Sequence, residues 1–320
     1  MEVAQAYLAL ANEKRDPRYY GSAQAAIQPF WNSREPSQVL TLKADILQFS
    51  HQFDAAVAAL EKYLGTFPQD ANARQQLMTI YLVQGRFQLA LEQCSLLGRG
   101  RGQAIPICRA IATSFMGQAE RSLALLDTFS RFAGEGEEKG WVMGNMGEIA
   151  ERIGDQRAES YYQQAITADP NNIFLLTLYA DYLAANNKTE EAYKLLQDHT
   201  YDDAALIRVA ILAKELDKPD AKKWQEEINT SFAAVRDRGT PVHQREEALY
   251  FLELDPKPAR AFELALENWN LQKEPLDALI LARAARAAGK QGQLKELAKW
   301  QQQNSFQDVR LDALLKGDAQ

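Results

Sequence analysis

Apolar residues recur at three- and four-residue spacing along almost the whole chain, in runs of about 14 positions broken by short polar stretches. No segment sustains the alternation of a strand. The pattern predicts helices throughout, with turn signals VQGRF at Val83 to Phe87, RIGDQ at Arg152 to Gln156 and ANNKT at Ala185 to Thr189. Setting FDAAVAALEKYLGTFP over DQRAESYYQQAITADP places Ala56 over Ala158 and Pro68 over Pro170. The register extends to Ala56, Ala90, Ala124, Ala158 and Ala192, each 34 residues after the last.

Two further columns hold across the same five copies. Twelve residues before each alanine stands Ala44, Met78, Ala112, Met146 or Ala180, all small or unbranched. Three residues after those stand Leu47, Tyr81, Phe115, Ile149 and Leu183, all large and apolar. Small residues at one crossing point let two helix backbones approach, and the large residue one turn on fills the space beside it. Pro68 and Pro170 fall between units, where proline opens a helix without breaking a bond. Each unit is thus a helix, a short turn and a second helix. In period and in its alanine, aromatic and proline punctuation the unit resembles the tetratricopeptide repeat (TPR). The expected fold is all-α, a right-handed α-solenoid of stacked antiparallel helix pairs.

Residues 1–36 read as an N-terminal helix pair turning around Asp16-Pro17, and residues 37–206 as the five 34-residue repeats. The third repeat is degenerate, with Arg131 and Gly136 where alanine and proline are expected. Residues 207–320 read as irregular helix pairs with a capping helix near Asp308 to Lys316, and with joints at Asp217 to Asp220 and Arg238 to Pro241. The stretches DPRYYGSAQAAIQPFW and REEALYFLELDPKPARAFELALENWNLQKEPLDALILARAARAAG are similar to a group of exported bacterial TPR proteins. That resemblance implies export, to the periplasm, and a protein-binding or assembly role. The opening MEVAQAYLAL has no charged start followed by an apolar run and a cleavage site, so no uncleaved signal peptide is expected. A leader already removed and a cytoplasmic protein are the two alternatives.

Composition narrows the function classes. With 320 residues, 46% hydrophobic and 25% charged, the chain has material for a packed interior and does not read as disordered. Its net charge of -7 comes with no basic face or tail, which argues against nucleic acid as a partner. No run reaches the roughly 18 apolar residues of a membrane span. The two cysteines, Cys94 and Cys108, fall on successive helices and have two readings: a disulfide in an oxidising compartment, or two buried apolar thiols.

Nothing in the sequence assembles chemistry. His51, His199 and His243 each lack a second ligand at metal spacing. GRGRGQ at Gly98 to Gln103 lacks the ending and preceding strand of a phosphate loop and reads as a connector. EGEEK at Glu135 to Lys139 reads as a solvated loop, and Asp202 and Asp203 as a helix cap and dipole partner. No catalytic, metal or cofactor site is expected.

Surface is what remains. First helices of stacked pairs line the inner wall of such a stack. The register points Asp45 and Gln48 there from the first unit, and Asn72, Gln75 and Thr79 from the second. The third contributes Arg109, Thr113 and Met116, the fourth Met143 and Gly147, and the fifth Phe174, Thr177 and Asp181. Polar amides and hydroxyls suit an extended peptide backbone, and methionines adapt to varied apolar contacts. Gly140, Gly144 and Gly147 either bare a backbone to a ligand or permit close helix packing. A cationic clamp for a peptide carboxylate is missing, since Arg109 is the only cation on the wall of the first three units, and Asp45 would repel a carboxylate. The expected function is a non-enzymatic scaffold holding a protein or peptide segment in the concave groove. The alternative is a structural subunit of a bacterial envelope assembly, docking through its convex or C-terminal surface with Trp269 and Trp300 exposed. An enzyme is the third, with no supporting residues.

Overall fold

The structure, a computed structural model, describes residues 1–14, 18–33, 37–97, 104–132, 134–237 and 244–317. The side chains of 12–14 and 235–237 are excepted. Expectations for Asp16-Pro17, Gly98 to Gln103, Arg238 to Pro241 and His243 lie outside the described residues. Among the described residues there are nineteen α-helices, three short 3-10 turns and no strand.

The chain divides into two compact units, Met1–Arg101 and Gly102–Gln320. The first holds α1 (Glu2–Lys14), α2 (Arg18–Ile27), α3 (Val39–Phe49), α4 (Phe53–Thr66), α5 (Ala71–Val83) and α6 (Phe87–Leu96). The second begins with α7 (Ala104–Ser114), α8 (Ala119–Phe129), α9 (Glu137–Arg152), α10 (Ala158–Ala168), α11 (Ile173–Ala185) and α12 (Thr189–Leu196). It continues with α13 (Asp203–Glu215), α14 (Ala221–Asp237), α15 (Gln244–Glu253), α16 (Pro258–Leu271), α17 (Pro275–Ala287), α18 (Gln291–Asn304) and α19 (Val309–Lys316). Within each unit consecutive helices pack as antiparallel pairs, and each pair stacks on the next.

The sequence columns explain the packing. Ala44, Met78, Ala112, Met146 and Ala180 are all buried, as are Leu47, Tyr81, Phe115, Ile149 and Leu183. On the second helices Ala56, Ala90, Ala158 and Ala192 are buried at the crossing. The expected Ala124 is not. It is exposed, and a small buried residue stands two positions earlier on α8, Ser122, whose hydroxyl lies 3.1 Å from that of Thr113. The reason is local. α7 stops two residues after Ala112, whereas α3, α5, α9 and α11 run five or six residues past the same column. A left-handed turn at Gly117 (φ 77°) then starts α8 early.

Helix starts follow side-chain chemistry. Asp70 caps α5, accepting from the amides of Asn72 and Ala73 at 3.0 Å each, and Asp202 caps α13 in the same way. Asp203 is not a spectator beside it, since it accepts from Ser231 at 2.7 Å. Gly140, Gly144 and Gly147 are buried in contact between helices, so the packing reading holds and the ligand reading does not. A Cβ on Gly147 would lie 2.7 Å from the Tyr162 ring, which is itself buried and tied by its hydroxyl to Glu151. Gly147→Ala is therefore expected to cost about 1–3 kcal/mol in urea unfolding at unchanged m-value. Gly144→Ala meets only the tip of Leu175 and should cost less. Equal costs at both positions would overturn this account.

Candidate functional site

In the first unit the inner faces of α3 and α5 frame a polar cavity of about 320 Å³. Its lining is Gln5, Gln38, Thr41, Asp45, Tyr63, Asp70, Asn72, Ala73 and Gln76. Asp70 is occupied by its capping role and by the Tyr63 hydroxyl at 2.8 Å. Asp45 is partly buried, and its Oδ1 accepts from Gln76 Nε2 at 2.6 Å. Burial pushes the Asp45 carboxyl up to about 6, against the opposing effect of that bond. Asp45 and Asn72 thus meet in one cavity. Gln48, Gln75 and Thr79 lie outside it, and Thr79 donates to its own helix at Gln75 O.

The second unit has a larger cavity, about 520 Å³, and first helices line it: Glu151 of α9, Asp181 of α11, Arg208 of α13, Leu249 of α15 and Leu279 of α17. Its remaining wall comes from the end of the chain, with Arg310, Ala313 and Leu314 of α19. The wall is mostly apolar, and all its charges but Glu215, which accepts from the Thr189 hydroxyl at 3.1 Å, are paired. Arg208 holds Asp181 through two 2.7 Å bonds, and Arg283 pairs with Glu253.

The C-terminal segment does not sit passively on the last pair. It returns to the third and fourth repeats and closes the unit. Arg152, fully buried at the end of α9, is the hub. Its Nη1 donates to Ser114 O and Gln307 O at 3.3 Å each, and its Nη2 to Ser114 Oγ at 2.9 Å. The guanidinium also lies over two rings, Phe115 at 4.7 Å and Phe306 at 5.1 Å. Only its Nε has no hydrogen bond; Glu148 lies 3.8 Å from it. Gln307 reaches further. Its Oε1 accepts from the Ala119 amide at 2.9 Å, capping an α8 whose own N-cap residue, Gln118, supplies no side-chain bond. Arg310 joins Glu151 at 2.7 Å and Asp308 at 2.7 Å, while Asp308 caps α19. Arg286 finishes α19 at its other end by donating to Leu314 O at 2.7 Å.

The early stop of α7 makes room for this closure. A Cβ on Gly117 would come within 2.9 Å of Ser305 Cβ, so the shortened repeat and the returning chain fit one another.

Burial of these carboxyls sets a pH dependence. Burial raises Glu148 to about 7, with Arg152 opposing, and raises Asp277 to about 6, with Arg245 opposing. A carboxyl raised in the folded state adds stability that is full below its unfolded value and is lost as pH climbs through the folded one. Glu148, Asp277 and Asp45 all act this way between about pH 4 and 7. Asp155 and Glu190, both lowered by hydrogen bonds to a cation (Arg157 and Lys218), act only at the acid end. Thermal melts at fixed ionic strength should peak near pH 5 and fall by roughly 5 °C towards pH 8. Glu148→Gln should flatten the upper part of that slope. A midpoint that rises from pH 5 to 8 would be the wrong sign.

Three expected groove residues are not on the groove. Met143 and Thr177 are buried, Thr177 donating to Phe174 O, and Gly147 is packed under Tyr162. On α9 the residue that lines the cavity is Glu151, one turn after Gly147. Arg109 and Phe174 are exposed, Thr113 and Met116 half-buried, and the Thr113 hydroxyl bonds its own helix at Arg109 O. The Trp269 and Trp300 rings are not an exposed pair: Trp269 is buried, and Trp300 packs edge-on to it and against Phe306. The closure residues Arg152, Gln307 and Arg310 were missed. The available signal was Arg152 itself, a charge in EIAERIGD next to the apolar column at Ile149.

No family model matches the chain, and no curated protein matches it. Solved structures do. Human IFIT1, solved as a dimer with PPP-AAAA, aligns over 98% of this chain and 82% of its own at 12% identity and a TM-score of 0.52. A tetratricopeptide repeat protein from Parabacteroides merdae covers 88% of this chain and 97% of its own, at 11% identity and a TM-score of 0.41. The apo quorum sensor NprR from B. thuringiensis covers 95% and 85%, at 14% identity and a TM-score of 0.46. Together with the helix pairs and their columns, the likeness shows the fold: the chain is folded as a tetratricopeptide-like, all-α solenoid of stacked antiparallel helix pairs.

Proposed function

We propose that the chain is a non-enzymatic interaction scaffold that holds a protein segment on the inner wall of its first unit. The observation that carries this reading is the contrast between the two inner walls. In the second unit the chain's own C-terminal segment fills part of the wall, and most of the charges there are paired. In the first unit α3 and α5 turn amides, a hydroxyl and a carboxylate towards a cavity. Such groups hydrogen-bond an extended backbone without demanding one side chain. The PPP-AAAA of the IFIT1 complex is not carried over, because a net charge of -7 does not suit a polyanion. Docking through Trp269 and Trp300 has lost its anchors to burial and packing.

The test is capture from an extract of the native host on the immobilised full chain. Wild type runs beside Gln75→Arg/Thr79→Arg in the first unit and Arg109→Glu/Thr113→Arg in the second, with equal helicity by circular dichroism. The reading expects a partner held by wild type and the second variant and lost by the first. A partner kept by the first variant moves the interface elsewhere.

The proposed compartment is oxidising, as for an exported bacterial protein. Cys94 and Cys108 are the only cysteines, both are buried, and neither is a free thiol. Thiol titration of unfolded, unreduced protein should find none, and two reactive thiols would end the idea. Among the described residues no helix is long and apolar enough to cross a membrane.

A further inference from the structure

We propose that the cavity of the first unit is a receptor for one organic cation, an ammonium or guanidinium group, with Asp45 as its counter-ion. The assignment of that cation to a lysine or arginine of the bound segment rests on the scaffold reading. The cation site does not.

The cavity is suited to positive charge by what lines it. Of its nine residues two are carboxylates, four are amides, and none of the described lining residues is a lysine or arginine. Asp70 is consumed by the α5 cap and the Tyr63 hydroxyl. Asp45 is differently placed. One oxygen accepts from Gln76, and the other, Oδ2, accepts no hydrogen bond among the described residues. A carboxylate partly withdrawn from water, with one oxygen still open to the cavity, is placed to pair with an entering cation. Its raised affinity for a proton is the same tendency expressed toward the smallest cation.

The rest of the lining selects the kind of cation. The amide oxygens of Gln5, Gln38 and Asn72 and the Thr41 hydroxyl can accept from the several N–H groups of an ammonium or guanidinium. A hard metal ion asks for six or more oxygens, several of them carboxylates, and one available carboxylate oxygen falls short. A volume of about 320 Å³ admits the head and part of the stem of a lysine or arginine side chain. A ligand carboxylate would meet Asp45 as a like charge.

The probes are n-butylammonium and n-butylguanidinium chloride, with n-butanol as the neutral control and sodium chloride to hold ionic strength. They are titrated into the full chain while the Gln76 side-chain amide is followed by NMR. Wild type should show a saturable shift with at least one of the two cations and none with butanol. Asp45→Asn, which keeps an acceptor for Gln76 at nearly the same volume, should weaken that binding at least tenfold. Linear, non-saturating shifts with both cations would overturn the site, as would equal binding by the variant. The capture experiment separates the two readings. A partner lost with Gln75→Arg/Thr79→Arg in a protein that binds neither cation would leave the scaffold standing and this inference refuted. Saturable cation binding lost in Asp45→Asn, with no segment captured, would keep the site and refute the scaffold.

Discussion

Arg152→Met should melt far below wild type, with a loss of about 3–5 kcal/mol, because it removes one partner of a buried charged cluster. The substitution keeps most of the side chain's length and apolar volume, so a lost cavity is not the cause. What goes is the pair of bonds to Ser114, the bond to Gln307 O and the charge between Phe115 and Phe306. Glu148 is left buried without its nearest cation. Arg152→Lys should recover only part of the loss, since an ammonium cannot span Ser114 and Gln307 as a flat fork does. Arg152→Met combined with Glu148→Leu should recover more, because it removes the stranded charge as well. Chemical denaturation of the four proteins tests the series. A single Arg152→Met loss below about 1 kcal/mol, the range of an ordinary surface change, would mean that the hub holds nothing.

Ending the chain after Ser305 should be more damaging still. Phe306 and Leu311 are buried, and side chains of that size contribute about 1.5–3 kcal/mol each. The Gln307 cap on α8 contributes about 1 kcal/mol more. Arg310 is lost from Glu151, and the Gln307 carbonyl from Arg152. The sum, on the order of 5 kcal/mol, is comparable to the whole stability of many domains. Amide exchange in α7, α8 and α9 is the readout, although those helices lie some 150 residues or more before the cut. Their protection should collapse, and a synthetic peptide of residues 305–317 should restore part of it. Unchanged protection would make the C-terminal segment an ornament.

The helix pairs were legible because one rule governs them locally. A small residue at each first-helix crossing and a large one a turn later leave a mark every 34 residues, and all ten of those positions are buried. The second-helix column failed only at Ala124, where α7 stops early and shifts its partner. That failure lies in the third repeat, the one whose sequence already departed from pattern. Its departure is the seat of the returning chain. The wall residues were less legible for a geometric reason. One step of register separates Gly147, under Tyr162, from Glu148, beside Arg152, and periodicity does not fix a helix's rotation to one residue. The closure was not legible at all. Gln307 and Ala119 are 188 positions apart, and no local spacing records a contact of that length.

An open array of helix pairs can gain or lose a member during evolution, since each repeat answers only to its neighbours. The second unit has given up that freedom. Inserting or deleting one pair between α9 and α18 would rotate α19 away from Ser114, Ala119 and Glu151 and leave Arg152 without its acceptors. Its repeat number is therefore fixed by a closing condition, as in a ring. Lineages of this protein should vary in length within the first unit and hold the second constant.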